Sequence, residues 1–339
     1  MAQLTIGKTA LRVEQNGFGA LPIQRISLSE AAYLVRKAYD GGMTYFDTAR
    51  AYTDSEEKLA KAFAGMRDQV VIATKTMAKT TDAFWADLET SLRTLKTDYI
   101  DVYQLHNPEF CPKPGDELYD AMLKARQQGK IRYIGFTNHR LDVASEAAQS
   151  DLYDTLQFPL SYLSTEKDIA LVQACKEKEV GFIAMKALSG GLITNSAAAC
   201  AWITRFENVV PIWGVQRESE LDEFLSYVPE PPVLTNELTA VIEKDREELQ
   251  GNFCRGCGYC MPCPQGILIH MCARASLLLR RAPVEMIMSP DGRAMMKKIE
   301  DCTECGQCAA QCPYGLDTPL LLKQNYLDFQ QMLAGIQNG

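Results

Sequence analysis

Eight of the twelve cysteines lie in two short runs whose spacing is that of iron–sulfur ligands. The first run holds Cys254, Cys257, Cys260 and Cys263, and the second holds Cys302, Cys305, Cys308 and Cys312. Each run ends in Cys-Pro, and the second follows the pattern C-x2-C-x2-C-x3-C-P without deviation. Soft thiolates at these spacings can surround a [4Fe–4S] cubane, so the runs predict two such clusters.

The pairing of cysteines with clusters follows from the rule for two-cluster ferredoxins, in which the fourth cysteine of each run crosses to the other cluster. One cluster then takes Cys254, Cys257, Cys260 and Cys312, and the other takes Cys302, Cys305, Cys308 and Cys263. The first run has only two residues before its last cysteine, and this short spacing favours the crossing. The remaining cysteines are expected to be buried thiols: Cys111, Cys175, Cys200 and Cys272.

Zinc and disulfides are the two competing interpretations of the cysteine runs. Two structural zinc sites need only two C-x2-C pairs each and do not require the closing Cys-Pro. Disulfides need an oxidising compartment, and no signal peptide is recognised before Met1-Ala-Gln-Leu. The pattern therefore favours iron–sulfur clusters in a reducing, oxygen-poor cytoplasm.

A second set of residues suited to chemistry ends or follows short apolar runs. Asp47 follows Tyr45-Phe46, Lys75 follows Ile72-Ala73-Thr74, and His106 follows the run around Tyr103, while Tyr52 lies five residues after Asp47. A phenol can protonate an alkoxide that forms when hydride reaches a carbonyl carbon, and an imidazole can orient that carbonyl. A lysine beside the phenol is expected to lower its pKa, and an aspartate to keep the lysine charged.

The elements that must position these residues alternate between strands and helices. Eight candidate strands precede the cysteines: Gly17–Gly19, Tyr45–Asp47, Val70–Ala73, Ile100–Tyr103, Tyr133–Phe136, Thr155–Phe158, Phe182–Met185 and Val209–Ile212. Amphipathic helical patterns lie between them, and eight such units in about 230 residues predict an α/β fold, a (β/α)8 TIM barrel. A doubly wound sheet is the alternative, but no G-x-G-x-x-G follows the first strand.

The domain boundaries follow from these patterns. We expect the barrel at 1–228, with the Gln3–Glu14 region as a hairpin on its floor, and a linker with a polar helix at 229–250. A small ferredoxin-like dicluster domain at 251–323 and a C-terminal tail at 324–339 complete the chain. The length of 339 residues accommodates one large and one small domain.

The bulk composition excludes several classes of protein. The net charge of −8 and the pI near 5.1 argue against a nucleic-acid-binding protein, which needs a basic face. No apolar run approaches the roughly 18 residues that a membrane helix requires. These values are typical of a soluble cytoplasmic protein.

The motifs around the four polar residues resemble those of the aldo-keto reductases. The segments that carry the resemblance are Tyr45–Tyr52 with Ser55-Glu56, Ile72–Lys75, Tyr103–Asn107, Gly135–Asn138 and Gln157–Pro159. With the cysteine runs, the chain to about residue 323 resembles bacterial aldo-keto reductases that carry a C-terminal [4Fe–4S] dicluster domain. The resemblance implies a catalytic tetrad of Asp47, Tyr52, Lys75 and His106, with Tyr52 as general acid/base.

The same resemblance implies a nicotinamide site at the end of the barrel. Thr137, Asn138 and Gln157 are expected to hold the carboxamide, Met185 to replace the usual stacking tyrosine, and Lys186 to begin the pyrophosphate loop. Enzymes of the family that prefer NADPH place lysine, serine, arginine and asparagine at the positions of Gly214, Val215, Glu220 and Phe224. Glu220 would repel a 2′-phosphate, with Arg217 compensating in part, so NAD(P)H is expected, with NADH favoured over NADPH.

Another departure from the family lies beside the tetrad. Thr53 stands where the family usually has glycine, so a backbone with positive φ would be strained there.

Three functions are compatible with these features. The first is reduction of an aldehyde or ketone by NAD(P)H, with the clusters carrying electrons or bracing the small domain. The second is an enzyme whose clusters receive single electrons from ferredoxin or another electron-transfer protein, with nicotinamide absent or secondary. The third is a non-enzymatic electron-transfer subunit, which the tetrad disfavours.

Overall fold

The computed structural model describes residues 1–249, 253–281 and 284–337. The chain divides into two compact units. The first unit comprises Met1–Ala187 and Ser196–Leu238, and the second comprises Leu188–Asn195 and Thr239–Gly339.

The first unit is a closed barrel of parallel strands. After a short antiparallel pair, β1 (Gln3–Thr5) and β2 (Arg12–Glu14), its strands are β3 (Gly17–Gly19), β4 (Tyr45–Asp47), β5 (Val71–Thr76), β6 (Ile100–His106), β7 (Ile131–Thr137), β8 (Thr155–Pro159), β9 (Gly181–Met185) and β10 (Val209–Gly214). Neighbours pair in the order β10-β3-β4-β5-β6-β7-β8-β9, with β10 closing on β3. The predicted TIM barrel is confirmed, and all eight predicted strands are present.

Helices alternate with these strands; most bury one apolar face, and the helix at Ser196–Ile203 is buried on nearly all sides. They are α1 (Leu28–Asp40), α2 (Ser55–Ala62), α3 (Thr81–Leu95), α4 (Glu117–Gln127), α5 (Leu141–Gln149), α6 (Glu166–Glu177), α7 (Ser196–Ile203) and α8 (Glu218–Ser226). The ends of two of them are fixed by capping boxes, in which Ser27 pairs with Glu30 and Thr165 pairs with Asp168. Local side-chain chemistry thus fixes where these helices begin.

The β1–β2 hairpin packs on the amino-terminal ends of the barrel strands, as predicted. Gly7 in its turn has φ +51°, and a Cβ there would lie 2.3 Å from the carbonyl oxygen of Glu179 and 2.4 Å from the nitrogen of Gly181. Only glycine fits both the backbone conformation and the space. The hairpin therefore covers the amino-terminal ends of the strands. Chemistry in TIM barrels takes place at the opposite end, where the strands have their carboxyl ends.

The described part of the second unit is helical and has its own apolar core. Its helices are α9 (Asn236–Glu248), which begins in the first unit, α10 (Ile269–Cys272), α11 (Ala275–Arg281), α12 (Glu285–Met288), α13 (Pro290–Lys297), α14 (Gln307–Ala310) and α15 (Thr318–Gln337). The core includes Ile267, Met296 and Leu322 together with the buried cysteines Cys254, Cys260 and Cys308. The buried Asn325 of α15 accepts a hydrogen bond from the nitrogen of Ser276 and donates to the carbonyl of Ala273.

The boundaries differ from those predicted in three respects. The residues of the predicted tail, 324–339, continue α15 as far as Gln337, because Phe329 and the rest of its apolar face pack on the core. The predicted linker helix ends at Glu248 where it is described, and Gln250 lies outside the described residues. Leu188–Asn195, expected in the barrel, groups with the second unit.

Among the described residues, none of the helices combines the length and the apolar character needed to cross a membrane. Cys111, Cys175, Cys200 and Cys272 are all buried, as predicted.

Candidate active site

The four residues of the predicted tetrad come together at the carboxyl ends of adjacent barrel strands. Asp47 ends β4, Lys75 lies near the end of β5 and His106 ends β6. Tyr52 lies in the loop between β4 and α2. Parallel pairing of β4 with β5 and of β5 with β6 brings these strand ends side by side. The barrel therefore gathers an acid, an amine, an imidazole and a phenol at one rim.

Asp47 and Lys75 form a buried ion pair. The Nζ of Lys75 lies 2.6 Å from Oδ1 of Asp47 and donates a second hydrogen bond of 2.5 Å to the carbonyl of Thr48. Burial lowers the pKa of Lys75 and raises the pKa of Asp47, and the attraction between the two charges opposes both shifts. The pair fixes the ammonium group in one position without solvent.

Two amide side chains complete the surroundings of Asp47. Gln104 donates to Oδ2 at 3.2 Å, and Gln157 donates to Oδ1 at 3.4 Å. The Oε1 atoms of Gln104 and Gln157 are buried and have no hydrogen-bond partner among the described residues. A buried acceptor without a donor is costly, and it fits a ligand that brings an N–H or O–H group. Gln104 was missed by the sequence analysis.

Tyr52 lies over the ion pair and beside the imidazole. The Nζ of Lys75 is 5.3 Å from the centre of the Tyr52 ring, and the rings of Tyr52 and His106 meet edge to face with centres 6.1 Å apart. Burial and the nearby charge of Asp47 raise the pKa of Tyr52. The predicted lowering of this pKa is therefore wrong, because burial disfavours the charged phenolate and Lys75 is already paired with Asp47.

His106 is held in its neutral form. Burial, followed by the charge of Lys75, lowers the pKa of His106 to about 3. Its buried Nδ1 has no hydrogen-bond partner in the described part of the chain. A neutral imidazole can donate one N–H to a substrate oxygen without bringing a second positive charge to the site.

The backbone after the tyrosine has the strain that the sequence suggested. Thr53 has φ +35°, a region that β-branched residues rarely adopt. Its hydroxyl donates to Oε1 of Gln24 at 3.1 Å, which helps to hold this conformation. The strained turn fixes the position of Tyr52.

A buried glutamate, also missed by the sequence analysis, stands behind the tetrad. Glu56 accepts hydrogen bonds from Thr74 and Ser91, each at 2.7 Å, and forms an ion pair with Arg50. It also attracts the charge of Lys75. The sequence signal for this residue was the Ser55-Glu56 pair, which forms the start of α2, and Glu56 supports the site without being among the predicted tetrad.

The predicted carboxamide contacts lie next to one another on β7 and β8. Thr137 pairs with Gln157 in the sheet and donates its hydroxyl to the Gln157 carbonyl at 3.2 Å. Asn138 follows directly, but its side chain is engaged locally, since it donates to the Pro108 carbonyl and accepts from the nitrogen of Arg140. Of these three, Gln157 offers a side-chain atom without a partner, and this atom fits the N–H of a carboxamide.

The other predicted cofactor contacts follow β9 and β10. Met185 ends β9 and belongs to the apolar cluster of the barrel interior, with 9% of its surface exposed. Lys186 follows with φ +57°, and Gly214 ends β10 with its surface exposed. These three residues therefore lie at the same end of the barrel as the tetrad.

Glu220 and Arg217 bond to each other at the start of α8. Oε2 of Glu220 accepts from the nitrogens of Gln216 and Arg217, each at 3.1 Å, and Oε1 accepts from the Arg217 guanidinium at 2.8 Å. This is a capping arrangement that the sequence analysis did not foresee. The carboxylate neutralises the one arginine that was expected to compensate for the missing NADPH contacts.

Phe224 replaces an expected polar contact for a reason of packing. Its ring stacks on that of Trp213 with centres 4.3 Å apart and planes 17° apart. Both side chains are almost fully buried. An asparagine here would be placed against an indole, so the aromatic pair accounts for this departure.

Three cysteines of the second run and two of the first line one solvent-open pocket. The cysteines in its lining are Cys260, Cys263, Cys302, Cys305 and Cys308. Four of them, Cys263, Cys302, Cys305 and Cys308, are the set that the crossing rule assigns to one cluster. Four thiols around one open pocket fit the donor set of a [4Fe–4S] cubane.

The first run forms a second group of thiols. Cys254 and Cys257 lie close enough to Cys260 to raise its pKa, to which burial contributes most. The nitrogen of Gly256 donates to the sulfur of Cys254 at 3.4 Å, a bond that stabilises a thiolate. The guanidinium of Arg255 lies 4.4 Å from the centre of the Tyr314 ring, which brings the end of the second run towards the first.

Within the described ranges, no three histidine, cysteine, aspartate or glutamate side chains are placed to hold a single metal ion. A cubane distributes its four cysteines over four irons, so its ligands need not converge on one point.

Two family models match the chain. The aldo/keto reductase family matches residues 15–198, and a 4Fe-4S dicluster domain matches residues 253–317. The chain is 33% identical over 175 residues to the aldo-keto reductase YhdN of Bacillus subtilis, which covers 48% of this chain and 53% of that protein. The chain thus spans about half the length of this curated relative.

Solved structures show the same barrel. The holo form of an aldo-keto reductase from Bacillus halodurans has a TM-score of 0.64 at 22% identity, covering 72% of this chain and 96% of that one. An aldo-keto reductase from Klebsiella pneumoniae in complex with NADPH has a TM-score of 0.62 at 24% identity, covering 72% and 95%. At these identities the likeness concerns the fold.

The first family model covers more than half of the chain, and the second covers both cysteine runs. The chain belongs to the aldo/keto reductase family of oxidoreductases and carries a C-terminal 4Fe-4S dicluster domain.

Proposed function

We propose that the barrel reduces an aldehyde or ketone with NAD(P)H, using Tyr52 as the general acid. The observation that carries this proposal is the meeting of Asp47, Tyr52, Lys75 and His106 at one rim of the barrel. The family supports the reaction class, and the NADPH bound to the Klebsiella pneumoniae protein supports a nicotinamide as the hydride source.

Tyr52, His106 and Lys75 have different roles in the protonation of the carbonyl oxygen. A bound dihydronicotinamide supplies the hydride. The Oη–H of Tyr52 donates its proton to the carbonyl oxygen as negative charge develops there, and the neutral His106 donates a hydrogen bond to the same oxygen. Lys75, held by Asp47, stabilises the tyrosinate that remains, and solvent returns the proton to it.

The cofactor preference follows from the start of α8. Glu220 presents negative charge where a 2′-phosphate would need a positive partner, and Arg217 is already bonded to that carboxylate. A ribose hydroxyl, by contrast, can donate to a carboxylate. We therefore propose that NADH is favoured over NADPH.

The C-terminal unit is proposed to bind two [4Fe–4S] clusters rather than zinc. Cys254, Cys257, Cys260 and Cys312 would hold one, and the pocket set of Cys302, Cys305, Cys308 and Cys263 would hold the other. A bound cluster supplies or accepts one electron at a time. Ferredoxin or a similar protein is the proposed partner, in a reducing cytoplasm.

A second candidate function is an enzyme that takes its electrons from ferredoxin, with nicotinamide absent or secondary. The pairing of Glu220 with Arg217 and the burial of Phe224 favour it, because both positions that bind the nucleotide in NADPH-preferring enzymes of the family are engaged within the protein itself.

The test is anaerobic turnover with a panel of small aldehydes and ketones, with NADH, NADPH or reduced ferredoxin as the electron source. Tyr52→Phe should lower kcat roughly 10²–10⁴-fold while nicotinamide binding is kept. Tyr33→Phe is the matched control, because the Tyr33 hydroxyl bonds Glu218 on the exposed surface. Retention of more than a third of the activity by Tyr52→Phe would refute its role, and turnover with ferredoxin alone would favour the second candidate.

A further inference from the structure

The second unit contains a buried arginine that no part of the proposed chemistry uses. Arg274, between α10 and α11, is only 5% exposed. Its Nη2 donates to the carbonyl of Gly190 at 2.6 Å, in the Leu188–Asn195 segment of the same unit. Its Nε is buried and has no partner among the described residues. Among the described residues, this cation thus donates a hydrogen bond to one carbonyl and forms no ion pair with a carboxylate.

Two glycines leave room for the guanidinium. A Cβ on Gly256 would lie 2.3 Å from Nη1 of Arg274, and a Cβ on Gly190 would lie 2.9 Å from the same atom. Both glycines have positive φ, +64° and +65°. Gly256 is inside the Cys254–Cys257 loop, so the guanidinium is packed directly against the backbone that carries two cysteines of the first run.

A buried cation needs a negative partner, because its desolvation is otherwise uncompensated. A cubane with four thiolate ligands is an anion, and its negative charge grows by one on reduction. Its attraction to a nearby fixed cation is therefore stronger in the reduced form.

We propose that Arg274 is the built-in counter-charge of the cluster held by the first cysteine run and raises the reduction potential of that cluster. The proposal rests on the cluster assignment made above. It makes Arg274 a positioning and tuning residue that favours the reduced state of one cluster over the other. Arg274 lies outside both cysteine runs, so no motif in the sequence marks it.

The experiment is an anaerobic redox titration followed by EPR, with iron and sulfide measured on each variant. Arg274→Gln removes the charge and keeps a hydrogen-bonding side chain, and Arg274→Lys keeps the charge without the guanidinium fork. We call the cluster held by the first cysteine run the first cluster. At a fixed potential, we expect Arg274→Gln to lower the ratio of its reduced to its oxidised form about tenfold. For one electron this corresponds to a fall in reduction potential of about 59 mV. Arg274→Lys should stay near the wild-type potential, and the second cluster should be unchanged in both.

Arg255→Gln is the matched control, because Arg255 follows Cys254 directly but is partly exposed and stacks on Tyr314. We expect it to shift the potential much less than Arg274→Gln, since solvent screens its charge. An unshifted first cluster in an iron-replete Arg274→Gln protein would overturn the proposal.

If the Arg274→Gln protein loses the first cluster, the Arg274→Lys protein shows whether charge or packing is the cause. If Arg274→Lys retains that cluster at the wild-type potential, the charge is responsible and the proposal stands. If a folded Arg274→Lys protein also loses it, packing against the glycines is responsible and the proposal fails. A wild-type protein without iron would instead refute the cluster assignment itself.

Discussion

The carboxylate of Asp47 and the ammonium group of Lys75 form an ion pair of 2.6 Å in which neither side chain is more than 3% exposed. Each charge depends on the other, because water does not reach either of them. A pair of this kind is sensitive to removal of one partner, since the remaining charge is left buried and uncompensated. The tetrad is therefore part of the stability of the barrel as well as of its chemistry.

Asp47→Asn should lower the free energy of unfolding of the barrel by about 3–5 kcal/mol, the range for breaking a buried pair. The double variant Asp47→Asn/Lys75→Met should lose less than the sum of the two single variants. Urea unfolding followed by tryptophan fluorescence measures this, because Trp85, Trp202 and Trp213 all lie in the first unit.

The exposed pair of Arg36 and Asp40 provides the control for that experiment. Its side chains are 49% and 59% exposed, so Asp40→Asn should cost no more than about 1 kcal/mol. Equal losses for Asp47→Asn and Asp40→Asn would contradict the structural role of the buried pair.

The low pKa of His106 predicts how the stability of the barrel changes with pH. Its value in the folded protein is about 3, below the value of about 6.5 in an unfolded chain. Between these values the unfolded state binds a proton that the folded state does not, so stability falls as pH falls through this window. His106→Gln removes that proton uptake and should flatten the dependence by up to about 1.4 kcal/mol per pH unit.

This change is measured by urea unfolding at several pH values between 7 and 5. His139 is also buried with a lowered pKa, so His139→Gln should flatten the curve in the same direction. A slope unchanged by His106→Gln would mean that His106 is protonated in the folded barrel, and its role as a neutral donor would then fail.

The sequence predicted the barrel well because its signals are local. Each apolar run between turn residues forms a strand. A polar residue at the carboxyl end of such a strand, such as Asp47 or His106, therefore lies at the rim of the barrel. Parallel pairing then made neighbours of strand ends far apart in the chain, while the roles of the four tetrad residues were implied by the resemblance to the aldo-keto reductases.

The features of the site that could not be predicted from the sequence depend on burial and on contacts between residues far apart in the chain. Burial and the charge of Asp47 raise the pKa of Tyr52, and residue order does not show how deeply a side chain is buried. Glu56 and Gln104 support the site through hydrogen bonds to residues that are distant in the sequence. Arg274 owes its importance to Gly190, 84 residues earlier, and no periodicity marks such a pair.

The hydrogen-bonded ion pair between Glu220 and Arg217 could not be predicted from the sequence either. It determines which substitution is suitable for the cofactor experiment. Glu220→Arg would disrupt the start of α8, whereas Glu220→Gln keeps an acceptor for the helix and removes the charge. Arg217 is then released from its partner and can contact a 2′-phosphate. We expect Glu220→Gln to lower the ratio of Kd for NADPH to Kd for NADH about tenfold, or about 1.4 kcal/mol.

Fluorescence titration of both nucleotides with both proteins checks this expectation, and urea unfolding shows whether the helix cap is kept. The combination Glu220→Gln/Arg217→Gln is the control, because it should return the preference towards NADH. Tighter binding of NADPH than of NADH by the unaltered protein would contradict the proposed preference.

The crossing of the fourth cysteines predicts which variants share a spectroscopic defect. Cys263 belongs to the first run but lines one pocket with Cys302, Cys305 and Cys308, and Cys260 of the first run lines it as well. Cys263→Ala should therefore remove the same EPR signal as Cys305→Ala. Anaerobically purified wild-type protein should hold about eight irons, and each variant about four, because each cubane contains four.

The other half of the crossing concerns Cys312, whose neighbour Tyr314 stacks with Arg255 beside Cys254. Cys312→Ala should remove the same EPR signal as Cys257→Ala, and this signal should differ from the one lost with Cys263. Cys272→Ala is the control, because that buried thiol lies outside both sets and its loss should leave both signals intact. If Cys263→Ala and Cys257→Ala lose one common signal, each run holds its own cluster. Stoichiometric zinc without visible absorbance would refute iron–sulfur ligation altogether, because zinc is bound by the same thiolates without redox chemistry.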